Sequence, residues 1–563
     1  MSNQMKGAYI LMESLLKENV DTIFGYPGGS IMPTFDALYD YMDKFNYVLT
    51  RHEQGATHAA QGYARVSGKT GVCLVTSGPG ATNAITGIAD AMMDSTPLVV
   101  IAGQAGAAFL GTDAFQEVDL IGITNPITKW NYQIRSAADI APAVAKAFHI
   151  ANTGRKGPVV LDFAKNAQVE LAEFVYEKCH FTRGYIPFQA VSPAQIDAAA
   201  EIINNAKKPL ALVGQGVVLG NAEAELKAFL EKADIPAGNT LLGLSALPSD
   251  HPLNKGMLGM HGNVGPNIKT NEADVIIAIG MRFDDRVTGD LKTYAKQAKI
   301  VHLDIDTAEL DKNVKATAKV VGDVKATLPE LTLKLKEAKH TEWIESFREY
   351  ELKEEQKVIR PEVGSTEGPL KMGEVVRKIS EATNNEAVLV TDVGQNQVMA
   401  ARYFKYTKSR SVVTSGGLGT MGFGIPAAIG AKIGAPERTV CMFAGDGGFQ
   451  MTIQELGTIM EKQIGVKMII LNNNYLGMVR QWQQLFYDAR YSSTPMLNPN
   501  FKAIAEAYGI KAAEATTREE LDKSIKEMFA DDKPYLLIAN CEEMGMVYPM
   551  VPAGETVTNI LLG

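Results

Sequence analysis

The final third of the chain contains two polar motifs whose residue types suit a metal site. Gly445-Asp446-Gly447 follows the strand-like run Thr439–Ala444, and Asn472-Asn473-Asn474 follows the next such run, Lys467–Leu471. A right-handed βαβ crossover puts two such strands in one sheet with their C-terminal ends at one edge, where open parallel sheets bind ligands. The aspartate and the middle asparagine would offer a carboxylate and an amide oxygen to one cation. Hard oxygen ligands, few in number, suit Mg²⁺ that phosphate groups also hold.

The glycines of the first motif support this interpretation. Gly445 and Gly447 remove side chains where a diphosphate would have to approach backbone N–H groups. A tight turn is the alternative explanation for both motifs, because glycine, aspartate and asparagine are common turn residues. The second motif, one crossover later, has the spacing that a site shared by two strands requires, and it favours the metal site.

A glutamate near the N-terminus is the second candidate for chemistry. Glu53 lies in Arg51-His52-Glu53-Gln54-Gly55-Ala56, directly after the strand-like run Tyr47–Thr50. A carboxyl at the C-terminal edge of a sheet can donate and accept a proton at a bound ring. From the residues alone, an exposed loop carboxylate is the commoner explanation of a glutamate in this place.

The elements that would position these residues are short apolar runs alternating with helical periods, a pattern that restarts twice. This pattern is typical of parallel sheets covered by helices on both faces. The sequence therefore predicts an α/β protein with three doubly wound parallel-sheet domains, at residues 1–180, 190–335 and 365–545, with a charged helix-rich connector at about Pro329–Lys357. The predicted strands are Thr22–Gly25, Tyr47–Thr50, Val72–Thr76, Leu98–Ala102, Leu210–Val213, Val275–Ile279, Ile300–Ile305, Ala387–Thr391, Thr439–Ala444, Lys467–Leu471 and Leu536–Ala539, with a helix at Thr452–Met460.

Composition and charge exclude several classes of protein. The chain has 563 residues, of which 46% are hydrophobic and 21% charged, with a net charge of −9; these are values of a globular protein and not of a disordered or fibrous one. No basic stripe indicates nucleic-acid binding, and no secretory signal or run of about 18 apolar residues indicates export or a membrane span. The four scattered cysteines suggest neither a disulfide framework nor a zinc site. We therefore expect a cytoplasmic protein.

The motifs together resemble those of a known family. The segment from Gly445 to Thr494 is similar to the metal motif of thiamine-diphosphate-dependent enzymes, and more specifically to the catalytic large subunits of acetohydroxyacid synthase (acetolactate synthase); the likeness covers nearly the whole chain. It implies that Asp446, Asn473 and the backbone carbonyl of Tyr475 bind Mg²⁺. It also implies that Glu53, in the family's "HEQGA" motif, exchanges a proton with the pyrimidine ring of thiamine diphosphate.

The resemblance implies further contacts with thiamine diphosphate. Glu53, Gly29 and Met421 are the implied catalytic residues, with Gly29 beside the thiazolium and Met421 as an apolar wedge that bends the cofactor. The segment Gly394–Gln397 reads "GQNQ" where the family usually has "GQHQ", so an uncharged asparagine replaces the histidine at 396. The other implied thiamine-binding residues are Asn83, Gln395, Asn396, Gly419, Gly445, Asp446 and Gly447.

The middle of the chain resembles the flavin-containing members of the family. Gly280 and Asp304 fall near the ends of predicted strands, at the edge where dinucleotides bind, and "RFDDRVTG" at Arg282–Gly289 matches the FAD-containing biosynthetic enzymes. An empty Rossmann-like domain is the alternative. The implied FAD-binding residues are Arg155, His261, Gly262, Gly280, Arg282, Asp304 and Asp323.

The reaction implied by the resemblance joins two 2-ketoacids. Pyruvate is decarboxylated on thiamine diphosphate, and the hydroxyethyl group is transferred to a second pyruvate or to 2-ketobutyrate, the first common step of branched-chain amino-acid biosynthesis. Arg286 has a guanidinium that could hold the second carboxylate, and Trp482 resembles the family's size gauge for the acceptor. The implied substrate residues are Phe115, Gln116, Lys165, Arg286, Met478 and Trp482.

The resemblance also implies an assembly. In the family the pyrimidine-binding and diphosphate-binding domains around one cofactor belong to different subunits, so a homodimer is the minimum unit, a homotetramer is possible, and a small regulatory subunit is expected. The alternatives are another thiamine enzyme acting on pyruvate (pyruvate oxidase or a flavin-free catabolic acetolactate synthase) and a non-catalytic nucleotide-binding protein. The "RFDDRVTG" segment and Trp482 disfavour the first alternative, and Glu53, Asp446 and Asn473 disfavour the second.

Overall fold

The N-terminal part of the chain folds around a six-stranded parallel sheet in the computed structural model, which describes residues 4–563. The strands are β1 (Gln4–Lys6), β2 (Thr22–Gly25), β3 (Asn46–Leu49), β4 (Gly71–Val75), β5 (Leu98–Gln104), β6 (Trp130–Ile134), β7 (Pro158–Ala164) and β8 (Leu171–Glu173). The helices are α1 (Gly7–Lys17), α2 (Met32–Tyr39), α3 (Glu53–Ser67), α4 (Pro79–Asn83), α5 (Ile85–Met93), α6 (Leu120–Thr124), α7 (Ile140–Asn152) and α8 (Lys165–Val169). The sheet order is β3-β2-β4-β5-β7-β6, and β1 pairs separately with β8.

A second six-stranded parallel sheet forms the middle of the chain. Its strands are β9 (Pro209–Val213), β10 (Ala237–Asn239), β11 (Asn254–Met257), β12 (Val275–Ile279), β13 (Lys299–Asp304) and β14 (Ala318–Val321), in the order β11-β10-β9-β12-β13-β14. The helices are α9 (Pro193–Asn204), α10 (Gln215–Leu219), α11 (Glu223–Ala233), α12 (Val264–Thr270), α13 (Asp285–Thr288) and α14 (Val324–Lys334). This is the order of a dinucleotide-binding fold, whose ligand crevice lies between its first and fourth strands.

The connector to the last sheet is helical. It contains α15 (Thr341–Glu345), α16 (Arg348–Glu354), a π-helical turn at Glu355–Ile359 and α17 (Arg360–Val363). The connector begins later than the sequence suggests, because α14 continues through Pro329. Leu328 and Leu331 bury that part of α14 against the middle sheet and hold the helix across the proline.

The third sheet carries the C-terminal motifs. Its strands are β15 (Val388–Thr391), β16 (Val412–Val413), β17 (Val440–Gly445), β18 (Val466–Asn472), β19 (Lys511–Ala515) and β20 (Tyr535–Asn540), in the order β16-β15-β17-β18-β20-β19. The helices are α18 (Met372–Ala382), α19 (Gln395–Tyr403), α20 (Gly424–Gly434), α21 (Asp446–Met451), α22 (Leu456–Lys462), α23 (Gly477–Phe486), α24 (Phe501–Ala507) and α25 (Arg518–Met528). Short 3₁₀ turns lie at Ala107–Phe109, Asn125–Ile127, Ala137–Asp139, Leu241–Gly243 and Ile453–Glu455.

The predicted helix Thr452–Met460 is wrong in its bounds. The helix after β17 starts at Asp446 and ends at Met451, and Thr452 then leaves the helical conformation with φ −133° before a 3₁₀ turn and α22. The Thr452 hydroxyl donates to the Gly422 carbonyl at 2.8 Å, a contact that local periodicity does not reveal.

The predicted architecture of three parallel-sheet α/β domains is confirmed. The central strands are buried on both faces, which is why they read as continuous apolar runs. The first and third sheets pack through α3 and α20, which approach closely at glycines: a Cβ on Gly62 would lie 2.0 Å from the Ala427 carbonyl oxygen, and one on Gly430 would lie 1.7 Å from that of Ala59. Within residues 4–563, no helix has the length and apolarity needed to cross a bilayer.

Candidate active site

Three neighbouring strands of the third sheet deliver the C-terminal candidates to one edge. β15 leads into α19 at Gly394, β17 leads into α21 at Asp446, and β18 ends at Asn472. β15, β17 and β18 are adjacent and parallel, so the residues after them share an edge. Neither α19 nor α21 has a side-chain cap, so the N–H groups of their first turns are available to an anion.

Asp446 lies at the centre of this edge. Its Oδ1 accepts from the Gly447 N–H at 3.0 Å, and its Oδ2 accepts from Asn498 Nδ2 at 2.7 Å. The same Asn498 nitrogen lies 3.1 Å from Asn472 Oδ1 and 3.1 Å from Asn474 Oδ1. One amide nitrogen has two hydrogens, so the three oxygens around it form an acceptor-rich cluster that suits a cation. Burial raises the pKa of Asp446, and a bound cation would favour its ionised form.

Asn473 is oriented by a second amide. Its Nδ2 donates to Gln395 Oε1 at 3.2 Å, and no hydrogen bond among the described residues engages its Oδ1. Asn474 has a left-handed φ of 58°, which turns the chain immediately after the strand. The Tyr475 carbonyl that follows also lacks a donor among residues 4–563. The arrangement leaves one amide oxygen and one carbonyl oxygen free beside the Asp446 carboxylate.

The other predicted thiamine-binding residues of this domain differ in how they are engaged. Gln395 uses its Nε2 on Gln481 Oε1 and on the Gly545 carbonyl, at 2.9 and 3.0 Å, so its amide is committed to protein partners. Asn396 donates to the Val393 carbonyl at 3.0 Å, and its Oδ1 is buried without a partner. Its Nδ2 carries a second hydrogen, which no other acceptor among residues 4–563 engages and which could donate to a diphosphate.

The loop before α20 contributes Gly419 and Met421. Gly419 is exposed with a left-handed φ of 69°, and Met421 is half-buried. Gly445 has open space around its Cα, since an added Cβ would meet only Asn396 Nδ2, at 3.4 Å. Gly447 instead packs against Leu476, whose side chain would lie 2.7 Å from an added Cβ.

The N-terminal candidates meet at the corresponding edge of the first sheet. Glu53 is the first residue of α3, directly after β3, and is 8% exposed. Its Oε2 accepts from Asn83 Nδ2 at 3.0 Å, and no hydrogen bond among the described residues engages its Oε1. His52 caps α3 by accepting from the Gln54 N–H, which fixes the start of the helix and therefore Glu53.

The remaining N-terminal candidates lie on neighbouring loops of this edge. Gly29, after β2, has open space around it, and the adjacent Ser30 hydroxyl lies 2.9 Å from the Thr76 hydroxyl on the loop after β4. Gln116 packs against Gly78 of that loop. Phe115 is 90% exposed, and Lys165 begins α8 with an exposed side chain.

No hydrogen bond among residues 4–563 links these two groups of residues within the chain. The hydrogen-bond partners of the Glu53 carboxylate belong to the N-terminal domain, whereas those of Asp446 and Asn473 belong to the C-terminal domain. We call them the Glu53 half-site and the Asp446 half-site. Large apolar side chains are exposed at or near both, including Phe115, Leu497 and Val479.

A cavity of about 810 Å³ lies where the three domains meet. Gln215, which starts the helix after β9, and Gly280, which follows β12, line it, so the cavity lies at the switch point where a sheet of this order binds dinucleotides. Predicted flavin residues on its wall are Arg155, His261, Gly280, Arg282, Asp304 and Asp323. Predicted substrate residues on its wall are Arg286, Met478 and Trp482, and Gly419 also lines it.

Several cavity residues already have protein partners. Arg155 donates to Asp306 and Glu309 of the middle domain, at 3.1 and 2.7 Å. His261 Nδ1 lies 3.2 Å from the Pro549 carbonyl, and burial lowers the pKa of His261 to about 4. Burial raises the pKa of Asp304 to about 7. Gly262 packs against the backbone, because an added Cβ would lie 2.5 Å from the Met257 carbonyl oxygen.

Three polar residues of the Asp446 half-site were missed by the sequence analysis. Asn498 bonds Asp446, Gln481 links Gln395 to the Val547 backbone, and Asp392 accepts backbone N–H groups from the loop that carries Met421. Asp392 directly follows the predicted strand Ala387–Thr391, and this position was a signal that could have identified it. Asn498 and Gln481 lie in a loop and in a helix, where an amide has no distinguishing pattern.

The polar groups at this edge of the third sheet fit a magnesium diphosphate. They are one carboxylate, two unengaged neutral oxygens and two uncapped helix starts, and Mg²⁺ held partly by phosphates needs few protein ligands. Consistent with so small a set, residues 4–563 contain no group of three or more His, Cys, Asp or Glu side chains able to hold a metal.

Comparison with known families gives three matches along the chain. Residues 5–123 match the N-terminal TPP binding domain of thiamine pyrophosphate enzymes, residues 196–331 their central domain, and residues 392–539 their C-terminal TPP binding domain.

The chain is also similar to curated proteins over nearly its whole length. It is 45% identical to a probable acetolactate synthase large subunit of Methanocaldococcus jannaschii, over 99% of this chain and 95% of that protein. It is 42% identical to the acetolactate synthase isozyme 2 large subunit of Escherichia coli K12, over 99% of each. It is 43% identical to the acetolactate synthase large subunit of Lactococcus lactis, over 97% of this chain and 94% of that protein.

Proposed function

The chain belongs to the acetolactate synthase large subunits of the thiamine pyrophosphate enzyme family, and from this premise we propose that it joins two 2-ketoacids with loss of carbon dioxide. Two molecules of pyruvate give acetolactate and carbon dioxide; pyruvate and 2-ketobutyrate give acetohydroxybutyrate. Either product would enter branched-chain amino-acid biosynthesis. Similarity to large subunits along the whole chain is the observation that carries this proposal.

The Asp446 half-site is proposed to anchor the cofactor. Asp446, Asn473 and the Tyr475 carbonyl would hold Mg²⁺, and the first turns of α19 and α21, with Gly445 and Gly447, would bind the diphosphate. The free Asn473 Oδ1 and the free Tyr475 carbonyl support this assignment. The chemistry that thiamine diphosphate supplies is to accept the electron pair left when pyruvate loses carbon dioxide.

The Glu53 half-site is proposed to handle a proton. Asn83 holds Glu53 Oε2, and the unengaged Oε1 would exchange a proton with a ring nitrogen of the bound pyrimidine. Gly29 would lie beside the thiazolium, and Met421 would fix the bend of the cofactor. Both half-sites must face one ligand, and no hydrogen bond among residues 4–563 links them within one chain. Because the family resemblance implies active sites shared between subunits, the proposed assembly is a homodimer or homotetramer in which each active site uses two chains. The exposed Phe115, Val479 and Leu497 support the same assembly, because pairing would cover them and exclude water.

The cavity of about 810 Å³ is proposed to bind FAD. Gly280, Arg282, Asp304 and Asp323 would contact the dinucleotide from the middle domain, together with Arg155 and with His261 and Gly262. The strand order of the middle sheet and the position of the cavity at its switch point support this assignment.

The acceptor ketoacid is proposed to bind where this cavity reaches α23. Arg286 would hold its carboxylate, and Met478 and Trp482 would contact its alkyl end. Phe115, Gln116 and Lys165 would complete the pocket from the second chain. Residues 1–180, 190–335 and 365–545 are the proposed pyrimidine-binding, FAD-binding and diphosphate-binding domains. A small regulatory subunit is part of the proposal, in keeping with the relatives' names as large subunits. A cytoplasmic location completes it.

Product analysis tests the proposal. The purified protein is incubated with Mg²⁺, thiamine diphosphate, FAD and pyruvate, and acetolactate, acetaldehyde and hydrogen peroxide are quantified together. We expect acetolactate as the main product, with loss of activity after chelation of Mg²⁺. Peroxide as the main product would indicate a pyruvate oxidase, and full activity without bound flavin would indicate the flavin-free catabolic enzyme. No turnover of pyruvate would contradict all three.

A further inference from the structure

The loop that carries Met421 is held by side chains of the N-terminal domain of the same chain. Residues 414–424 run from β16 to α20; Leu418 and Gly419 are exposed, whereas Ser415 and Thr420 are buried against the N-terminal domain. We propose that Asp90 and Asp94, at the C-terminal end of α5, are positioning residues that hold this loop in the geometry required for cofactor binding. The inference rests on the proposed function only in identifying the cofactor.

Asp94 uses both carboxylate oxygens to hold the loop. Its Oδ2 accepts from the Gly416 N–H at 2.9 Å and its Oδ1 from the Gly417 N–H at 2.7 Å. Arg65 donates to the same Oδ2 at 2.7 Å. Asp94 is 1% exposed, so this charge is balanced by Arg65 and by the two loop N–H groups.

Asp90 holds the loop with one oxygen only. Its Oδ1 accepts from the Ser415 hydroxyl and from the Thr420 hydroxyl, the latter at 3.1 Å. Its Oδ2 is buried and has no hydrogen-bond partner among residues 4–563. The two aspartates therefore differ: an amide at 94 would turn an NH₂ group toward a backbone donor or Arg65, whereas an amide at 90 could keep its oxygen on the hydroxyls.

The loop is also held from within its own domain, on both sides of Met421. Asp392 accepts from the Gly422 and Gly424 N–H groups, each at 2.9 Å. Met421 thus lies between contacts to the N-terminal domain at Thr420 and contacts to the C-terminal domain at Gly422. Fixing a loop in its binding conformation reduces the ordering cost of ligand binding.

The contacts that hold this loop are connected to the Glu53 half-site through one helix, α3. Arg65, which balances Asp94, also donates to the Thr414 carbonyl at 2.6 Å. Arg65 lies near the C-terminal end of α3, and Glu53 is the first residue of that helix. Each N-terminal domain would therefore supply Glu53 to one active site and fix the Met421 loop of the other.

The test compares Asp94→Asn, Asp90→Asn and Asp90→Ala in the full-length protein. Affinity for thiamine diphosphate is measured by fluorescence quenching at saturating Mg²⁺, and amide hydrogen exchange of residues 414–424 is measured in cofactor-free protein. For Asp94→Asn we expect the affinity for thiamine diphosphate to fall by about tenfold or more, the range seen when groups that support a ligand-binding shell are lost. We also expect the backbone amides of residues 414–424 to exchange faster. Asp90→Ala should behave likewise, and Asp90→Asn should stay within about threefold of the wild type, since it preserves the oxygen.

Glu374→Gln is the matched control. Glu374 is also buried and is bonded by Arg518 at 2.9 and 3.0 Å, and no hydrogen bond among residues 4–563 joins it to either half-site. It should lower the melting temperature without changing cofactor affinity or loop exchange. Asp94→Asn with wild-type affinity and wild-type exchange would overturn the proposal, as would Asp90→Asn being as impaired as Asp90→Ala.

A milder variant covers the case in which Asp94→Asn does not fold. Thr420→Val removes one hydroxyl that donates to Asp90 and preserves the side-chain shape. Faster exchange of residues 414–424 with weaker cofactor binding would support the proposal, and no change in either would contradict it. If the wild type bound the cofactor but made no acetolactate, the proposed function would fail while this positioning role could still hold.

Discussion

The first and third sheets have the same strand order but carry different functional groups at the corresponding edge. Counting strands within each sheet, both have the order 2-1-3-4-6-5, and the candidate residues follow the C-terminal ends of strands in both. The first sheet presents one candidate carboxylate, Glu53, to which Asn83 is the only hydrogen-bond donor in the described part of the chain. The third presents a carboxylate, Asp446, among the amides of Asn498, Asn473 and Gln395. A shared backbone frame therefore does not determine chemistry; the side chains after each strand do.

The two half-sites differ in which oxygen atoms lack a hydrogen-bond partner among residues 4–563. Glu53 keeps Oε1 unengaged, which suits a group that gains and loses a proton. Asp446 has both oxygens bonded, and the unengaged oxygens beside it belong to neutral groups, Asn473 and Tyr475. This suits a site that binds a cation. The comparison predicts that the two half-sites can be impaired separately, one in rate and the other in affinity.

The largest expected effect is on the Glu53 half-site. Glu53→Gln keeps the side-chain shape and the Asn83 contact but cannot donate or accept a proton as a carboxyl does. We expect kcat to fall by about 10²–10⁴-fold, the usual contribution of a general acid–base group. Affinity for thiamine diphosphate should be nearly unchanged, measured by fluorescence titration alongside steady-state kinetics. A rate close to that of the wild type would remove Glu53 from the proton-handling role.

The second effect is on affinity at the Asp446 half-site. Asn498→Ala removes the amide that donates to Asp446 and to the two asparagines flanking Asn473. We expect the apparent affinity for Mg²⁺ to fall by about 10–100-fold, with kcat recovered at saturating Mg²⁺. Titration of activity with Mg²⁺ measures both quantities.

A neighbouring asparagine provides the control for Asn498. Asn500 caps α24 by accepting from the Ala503 N–H at 2.9 Å and does not contact Asp446. Asn500→Ala should lower the melting temperature and leave the Mg²⁺ titration unchanged. If both variants weakened Mg²⁺ binding equally, Asn498 would be a structural residue and not a support of the metal site.

Most of the buried central strands of this fold could be predicted from the sequence because they are covered on both faces. Thr22–Gly25 and Val275–Ile279 match the structure residue for residue. Two missed strands lie at sheet edges: β6 (Trp130–Ile134) and β19 (Lys511–Ala515) each have one buried residue in five, so neither reads as a continuous apolar run. The strand β7 (Pro158–Ala164) was also missed, although it is buried along its whole length. Half-exposed edge strands lack the signal that central parallel strands provide.

The residues of the candidate site likewise include some that the sequence pattern indicated and some that it did not. Asp446 and Asn473 became candidates because they follow apolar strands, and the roles proposed for them come from the family resemblance. Asn498 lies 26 residues after Asn472 in a loop, and only the fold brings the two within 3.1 Å. The separation of the Glu53 contacts from the Asp446 contacts likewise depends on how the domains pack, which no local pattern contains.

A smaller effect is expected on substrate choice beside the Asp446 half-site. Trp482 lines the large cavity, and its ring meets Phe486 edge to face at 5.9 Å. Trp482→Leu should lower the preference for 2-ketobutyrate over pyruvate by roughly tenfold, since one methylene in an apolar pocket contributes about 1–3 kcal/mol of discrimination. Competition between the two acceptors, with both products quantified, measures the ratio. Phe486→Leu should change it less and in the same direction; an unchanged ratio in Trp482→Leu would exclude Trp482 from acceptor selection.

The smallest effect on turnover is expected where the two sheets touch within one chain. Glu455 accepts from the Arg51 N–H at 3.0 Å and from the Thr458 hydroxyl at 2.8 Å, next to the segment that starts α3. Burial raises the pKa of Glu455 to about 7 from its ordinary value of 4.5. The folded state therefore favours the protonated form, so this group's contribution to stability is complete below about pH 4.5 and is lost as the pH rises through 7.

Glu455→Gln imitates the protonated form at every pH and should remove this dependence. The variant should match the wild type near pH 5 and melt a few degrees higher near pH 8, because about 1 kcal/mol corresponds to roughly 2–4 °C in domains of this size. Melting temperatures of both proteins from pH 5 to 8 measure the difference, and kcat at saturating cofactor should be unchanged. If the melting temperatures of the two proteins changed with pH in parallel, Glu455 would have the same pKa in the folded and the unfolded chain. Lower turnover at equal stability would mean that this contact also orients Glu53, and the two half-sites would then not be separable within one chain.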